Sequence, residues 1–395
     1  HATHRWLKRA TPKMNAQPLA YFNHAGASLM SASTVDAMVS HLHLETRLGG
    51  YGAAMHQHKA LTAVYTHAAQ LLSCDADEIA LTDSHSRGWR EVMNCLHFAP
   101  GDRILVGRSE WGGNYAALTR IAQRDGAAVE TIPSTPSGEV CLTQLAAMLD
   151  HRVRLISLTW LPANGGLIQP AARVGALAHA AGIPFFLDAA QAVGQMPVDV
   201  RALNCDVLTT PGRKWLRGPR GTGLLYVRRG FLQALQPAAL DHFSAPLING
   251  QYQLRDDARR FETSEANMAA RLGLGQAIQE ALVQGLDTIQ TQVQSKASKI
   301  REALQRMPHI QSHDVGTQLS GLIAFTAQGL TSDTVRTHLA QQGIELAVNG
   351  TAFTPLDMRA RGLTDVVRIS PHTTTTDEEI ARLLDAVSNL ADLTP

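Results

Sequence analysis

The sequence predicts an α/β protein: a mostly parallel sheet sandwiched by helices, with a smaller α+β domain behind it. Three observations carry this. The chain has 395 residues, above the roughly 250–300 at which a single core stops growing, so two domains are expected. From about residue 79 to 228, short apolar runs alternate with helical patterns, the rhythm of βαβ units. Beyond residue 266 that rhythm gives way to a long helical stretch and a few strands. The boundaries follow as 20–265 for the large domain and 266–395 for the small one. Residues 1–19 read as a tag remnant or leader packing loosely, because the basic stretch through Lys13 lacks the apolar core of a signal peptide.

In order along the chain, Ile79–Trp89 moves from strand through a small polar turn into a helix. Strands are predicted at Arg103–Val106, Val129–Ile132, Leu155–Leu158, Pro184–Leu187, Val207–Leu208 and Leu224–Val227. Helices are predicted at Arg87–His97, Tyr115–Ala122, Leu142–Leu149 and Ala171–Ala181. The second part reads as one helical stretch from Ala266 to Gln305, strand Leu322–Phe325, helix Ser332–Gln341, strands Glu345–Val348 and Val366–Ile369, and helix Asp377–Leu390. In a sheet of this kind, functional residues belong on loops at the carboxyl ends of the strands and in the crevice between domains.

Composition excludes several classes. A net charge of +1 gives no reason to expect nucleic acid or an anionic membrane as partner. No apolar run approaches the ~18 residues of a membrane span. Cys74, Cys95, Cys141 and Cys205 form no CxxC pair, so reduced thiols in a cytoplasmic protein are expected. No metal site is expected: His41/His43 and His56/His58 are spaced i, i+2, which point apart on helices. Gly218–Gly223 precedes a strand and is no dinucleotide fingerprint.

The segment Phe185-Phe186-Leu187-Asp188 is an apolar strand ending in an acid, at the edge where a site would open. Lys214 follows in the turn-rich Thr209-Thr210-Pro211-Gly212-Arg213-Lys214-Trp215. This ordered pair suits pyridoxal phosphate (PLP) as cofactor. A Lys amine forms an imine with the aldehyde, and an acid keeps the pyridine nitrogen protonated so that the ring accepts electrons. The Lys must titrate well below its usual ~10.4, and Arg213 is a candidate cation to lower it. Ser84-His85-Ser86-Arg87 opens a helix. The Ser86 hydroxyl and the backbone N–H groups of His85–Arg87 could hold a phosphate there, alongside an ordinary N-cap role for Ser84 or Ser86.

With these motifs the chain resembles the class V aminotransferase family of fold type I PLP enzymes, which includes cysteine desulfurases, selenocysteine lyases and isopenicillin N epimerases. The resemblance runs from Tyr21-Phe22-Asn23-His24-Ala25-Gly26 to the final helix and implies a seven-stranded sheet. It also implies roles. Asp188 would pair with the ring nitrogen, Gln191 with the ring hydroxyl, Ala190 would pack on one ring face and Trp111 on the other. Asn164, in Pro162-Ala163-Asn164-Gly165-Gly166, would lie near the ring hydroxyl or substrate. Thr263 would reach the phosphate of a neighbouring subunit in a homodimer. Arg368 would grip the substrate carboxylate with its planar fork, and Arg213 stands where relatives carry His. Apart from the resemblance, candidate residues lining the substrate side are His24, Tyr51, His85, Arg87 and Arg217, and Arg213, Arg217 or His24 could assist a leaving group.

Within this family, Ser84–Trp89, Glu110–Asn114, Pro162–Leu167 and Arg213-Lys214-Trp215 look similar to the C–S lyases of ergothioneine biosynthesis. Cysteine desulfurases need a mobile thiol loop in the C-terminal half, yet all four cysteines precede residue 206. The expected reaction is therefore β-elimination from a cysteine conjugate or its sulfoxide, giving pyruvate and ammonia. Transamination and epimerisation start from the same proton abstraction and stay open. A non-catalytic PLP-binding regulator is a remote alternative.

Overall fold

The computed structural model describes residues 18–393; the reading of residues 1–17 as a remnant or leader lies outside them. The chain begins with β1 (Ala20–Tyr21), α1 (Ala32–His56) and α2 (His58–Leu72). Then come β2 (Ile79–Thr82), α3 (His85–Met93), β3 (Arg103–Gly107), α4 (Gly112–Asp125), β4 (Ala128–Ile132), α5 (Leu142–Met148), β5 (Val153–Thr159), α6 (Ala171–Ala180), β6 (Phe185–Asp188), β7 (Val207–Pro211) and β8 (Gly223–Val227). A short α7 (Arg229–Leu232) and the hairpin β9 (Leu247–Ile248) and β10 (Gln251–Tyr252) lead to α8 (Met268–Gln284) and α9 (Leu286–Gln305). The last part holds β11 (Ile310–Ser312), β12 (Ile323–Ala327), α10 (Ser332–Gln341), β13 (Ile344–Glu345), β14 (Ala347–Gly350), α11 (Pro355–Ala360), β15 (Asp365–Ile369) and α12 (Asp377–Ser388).

The main sheet has seven strands in the order β2-β8-β7-β6-β5-β3-β4. The pairs β3–β4, β3–β5, β5–β6 and β6–β7 are parallel, as the βαβ rhythm predicts. β8 runs antiparallel to both β7 and β2. The connection from β7 to β8 holds no helix, and without a crossover the chain can only return antiparallel. β6 lies in the middle, with all four residues buried, which is why Phe185-Phe186-Leu187 reads as a continuous apolar run.

A four-stranded antiparallel sheet, β11-β12-β15-β14, forms the second layer system. Its core packs Phe325, Val367 and Ile369 against Ile300 and Leu304 of α9, Val335 and Leu339 of α10 and Leu383 and Val387 of α12. The start of the chain joins this module. β1 pairs in parallel with β13, and Ala20 and Phe22 are buried in the same core.

Three predicted elements are corrected. The stretch Ala266–Gln305 is two helices, α8 and α9, broken at Gly285, whose φ of 84° lies in the left-handed region. The predicted strand Glu345–Val348 divides between two sheets: β13 pairs with β1, whereas β14 pairs with β15. The helix predicted at Arg87–His97 starts earlier, at His85, and stops at Met93.

Candidate active site

The site is built at the carboxyl ends of β5, β6 and β7. Register places Thr159 of β5 and Thr209 of β7 on either side of Asp188. A cavity of about 1130 Å³ opens at this edge. Among the predicted site residues, Asp188, Ala190, Gln191, Arg213, Lys214, Trp111, His85, Ser86 and Arg368 all line it.

Asp188 is 3% exposed. Its Oδ1 accepts the Ala190 N–H at 2.9 Å, and its Oδ2 accepts from Asn114 Nδ2 at 2.9 Å. His85 Nε2 lies 3.2 Å from the same Oδ2. Burial alone would raise this carboxyl. The His85 charge and hydrogen bond, the Ala190 N–H and the Lys214 charge outweigh it and leave the pKa below the ordinary value. His85 Nδ1 is 2.7 Å from Thr209 Oγ1, and its ring stacks on Trp89. The His85 side chain thus serves Asp188, a contact beyond the phosphate-binding and cavity-lining roles the sequence suggested for it.

Lys214 sits in the loop after β7. Burial, with Arg213 and Arg368 nearby, brings its amine down to about 7, against an upward pull from Asp188. The loop lies directly on the turn that follows Asp188. Gly194 has φ 94°, and a Cβ there would stand 2.5 Å from Leu216 N, so only glycine lets the two segments meet. Gln191 fastens them together: its Oε1 accepts from Trp215 Nε1 at 2.8 Å, and its Nε2 donates to Ala25 O at 3.1 Å. Arg213 Nη1 donates to Gly26 O.

Ser84 caps α3, its hydroxyl accepting the Arg87 N–H at 3.1 Å. His85 and Ser86 follow as the first residues of the helix, both on the cavity wall. Unshared N–H groups of a helix's first turn suit a phosphate. Trp111 meets His85 edge-on at 5.5 Å, and its backbone N–H donates to Thr159 Oγ1.

Arg368 projects from β15 and is 4% exposed. Its Nη1 donates to Ala163 O at 3.1 Å and its Nη2 to Asn23 Oδ1 at 3.3 Å. Nε is buried without a hydrogen-bond partner among the described residues. Burial, and then Arg213, lowers this guanidinium to about 10. A buried cation with a donor to spare is prepared for an anionic ligand.

The other predicted residues lie elsewhere. Asn164 sits just behind the wall, where its Oδ1 accepts from Asn349 Nδ2, and it is Asn349 that faces the cavity. His24 is buried between Tyr21 and His372. Burial, with His372 and Arg217 beside it, lowers its imidazole to about 2, so the ring is neutral near neutral pH. Arg217 donates to Leu29 O. Arg87 pairs with Glu91 on the exposed face of α3. Thr263 is exposed, its hydroxyl donating to Glu265 O. Tyr51 is 95% exposed on α1. The sequence reading gave no role to Asn23, Glu110, Asn114 or Asn349. Asn23, Glu110 and Asn114 lay within motifs that carried the resemblance, but Asn349 arrives through a distant chain segment and carried no signal.

This donor set fits pyridoxal phosphate. It offers an amine of lowered pKa, a buried carboxylate, a helix N-terminus for the phosphate and an arginine with an unused N–H. The fold and site together define a PLP-type enzyme. The chain belongs to the aminotransferase class V family, whose model matches residues 20–383. It is similar to the cysteine desulfurase of Yersinia pseudotuberculosis serotype IB (strain PB1/+), 30% identical over 400 residues, covering 96% of this chain and 95% of that protein. It is also similar to that of Dickeya dadantii (strain 3937), 29% identical over 392 residues, covering 94% and 92%. Two solved structures share the fold at 24% identity. The apo cysteine desulfurase from Thermococcus onnurineus NA1 has a TM-score of 0.88 and coverage of 95% for both chains. The cystine C–S lyase C-DES, in complex with its reaction product cysteine persulfide, has a TM-score of 0.85 and coverage of 94% and 97%.

Proposed function

We propose that this is a PLP-dependent C–S lyase that cleaves a cysteine conjugate, or its sulfoxide, by β-elimination to pyruvate and ammonia. The observation that carries the choice is that none of the four cysteines lines the cavity. The relatives' names point to sulfur leaving cysteine. A desulfurase must also offer a thiol to accept that sulfur, and here 346–361, from the end of β13 through α11, brings Ala347, Val348, Asn349 and Phe353 to the cavity instead. Cys95 and Cys205 are buried, and burial pushes the Cys95 thiol up to about 12, so it stays protonated and inert.

Bound in this cavity, PLP supplies an electron-accepting ring for the substrate α-carbon. The protein's own groups do the rest. Asp188, held ionised by its donors, would keep a proton on the ring nitrogen. Lys214 would hold the cofactor, and its free amine would serve as the base for the substrate α-proton. Its lowered pKa of about 7 leaves a substantial share of the amine unprotonated and able to do so near neutral pH. Arg368 grips the α-carboxylate. Arg213, on the cavity wall, is placed to stabilise a departing sulfur group. The volume of about 1130 Å³ lies just above the usual range for small-molecule sites and suits a substituent larger than cysteine alone. The ergothioneine-type sulfoxide conjugate, suggested by the motifs, is the first substrate to try.

The working unit in this reading is a homodimer. α1 exposes Leu42, Leu48, Tyr51 and Met55, an apolar row of the kind that marks an interface, and Thr263 would face the partner's phosphate. Four free cysteines suit a reducing cytoplasm. The test is pyruvate release from S-substituted cysteines and their sulfoxides by the purified yellow protein. Pyruvate without added keto acid supports the lyase. Turnover only with a keto acid would make it an aminotransferase, and loss of configuration at the α-carbon alone an epimerase.

A further inference from the structure

Behind Asp188 lies a second carboxylate that the proposed chemistry does not use. Glu110 is 0% exposed and so is Asn114. A single amide group, Asn114 Nδ2, donates to both Glu110 Oε1 at 3.0 Å and Asp188 Oδ2 at 2.9 Å. The rest of the shell around Glu110 comes from β5: Thr159 Oγ1 donates to Oε1 at 2.7 Å and Ser157 Oγ to Oε2 at 3.1 Å. None of these donors carries a charge, and Glu110 forms no ion pair among the described residues. The basic side chains His85 and Lys214 lie beside Asp188 instead. Two carboxylates joined through one N–H₂, in a region closed to water, cannot both be ionised cheaply, and the one with the basic side chains beside it keeps the charge.

We infer that Glu110 is a positioning residue for Asp188: a neutral carboxylic acid that, through the shared Asn114 amide, leaves Asp188 as the site's one anion. Its significance for the ring nitrogen rests on the PLP reading; the coupling between the two carboxyls does not. Burial first, and then the Asp188 charge, raises Glu110 to about 7, against the hydrogen bonds from Asn114, Thr159 and Ser157. The raised value fixes the sign. An acid whose folded pKa lies above its unfolded value stabilises the fold below the unfolded value and loses that stability as pH rises through the folded one. Above about pH 7, Glu110 releases its proton to solvent, and two like charges then compete for Asn114.

The deciding experiment measures the melting temperature of the cofactor-free protein from pH 4.5 to 8.5, for wild type, Glu110→Gln, Asp188→Asn and the double variant. Glu110→Gln keeps the shape and the neutral state. The gap between it and wild type should be small at pH 4.5, open to a few degrees by pH 7–8 and then level off. In the Asp188→Asn background the gap should shrink. A gap that does not change with pH, or one untouched by Asp188→Asn, overturns the inference. Should Glu110→Gln fold poorly, Ser157→Ala removes a donor to the ionised form, and stability should then fall more steeply between pH 5 and 8; an unchanged slope also overturns the inference. Titrating the visible band of the PLP-loaded protein gives a separate readout. It should shift near neutral pH in wild type and not in Glu110→Gln. If no visible band forms with PLP, the cofactor reading fails, while the melting series still decides the coupling.

Discussion

At the scale of single residues, Lys214 and Arg368 make the sharpest claims. Lys214→Ala should lose the borohydride-stable PLP label and reduce turnover by at least about 10²–10⁴-fold, the span that positioned acid–base catalysis supplies. Arg368→Ala should raise KM roughly 10- to 150-fold, from the ~1.5–3 kcal/mol of a hydrogen bond to a charged group, as steady-state kinetics would show. The amine of Lys214 must be neutral to capture an aldehyde. The rate of PLP uptake by the cofactor-free protein should therefore rise with pH and level off above about 7. Arg213→Gln removes a neighbouring charge, so the midpoint should move upward; an unmoved midpoint would sink the assignment. The same depression burdens folding below about pH 7 and fades toward the unfolded value near ~10.4. Lys214→Met should thus raise the melting temperature of the cofactor-free protein most at neutral and acid pH.

At the scale of elements, the legible parts were those whose signal is local. The run Phe185–Asp188 is buried on both faces and reads as a parallel strand. Ser332–Gln341 is a helix with the bounds its pattern gives. Asp188 was legible as an acid ending an apolar strand, Lys214 as its ordered partner in the turn-rich segment that follows, and Arg368 through the resemblance of its strand to the family's. α8 and α9 ran together because Gly285 fits a helical pattern until its φ is known. α1 gave no clear stripe because its apolar residues, Leu42, Leu48 and Tyr51 among them, are exposed. The pairing of Asn114 with Asp188 spans 74 residues and exists only once α4 packs on the sheet beside β3 and β4. Gly194 permits one prediction here. Gly194→Ala forces a Cβ into the backbone at Trp215 and Leu216 at a left-handed φ, a strain of about 1–3 kcal/mol. Melting temperature should fall, and PLP should be held less tightly as the Lys214 loop is pushed away.

At the scale of the whole molecule, the proposed dimer is tested on α1. Tyr51→Asp with Met55→Asp places two charges in the exposed apolar row. Light scattering should then report half the wild-type mass, and PLP should dissociate more readily if Thr263 serves the partner's site. A variant of unchanged mass would move the interface elsewhere.

The pairing of β1 with β13 also bears on how the protein is made. Asn23, Ala25 and Gly26 form one wall of the cavity, yet the strand leading into them pairs with Ile344–Glu345, more than 300 residues later. During synthesis at roughly 5–20 residues per second, Tyr21 leaves the ribosome tens of seconds before its partner exists. The main sheet can fold in that interval, with Asp188 and Lys214 already in place. The wall at Asn23 and the grip of Arg368 come together only at the end. A nascent chain stalled before β13 would then take up PLP and yet be unable to hold a substrate.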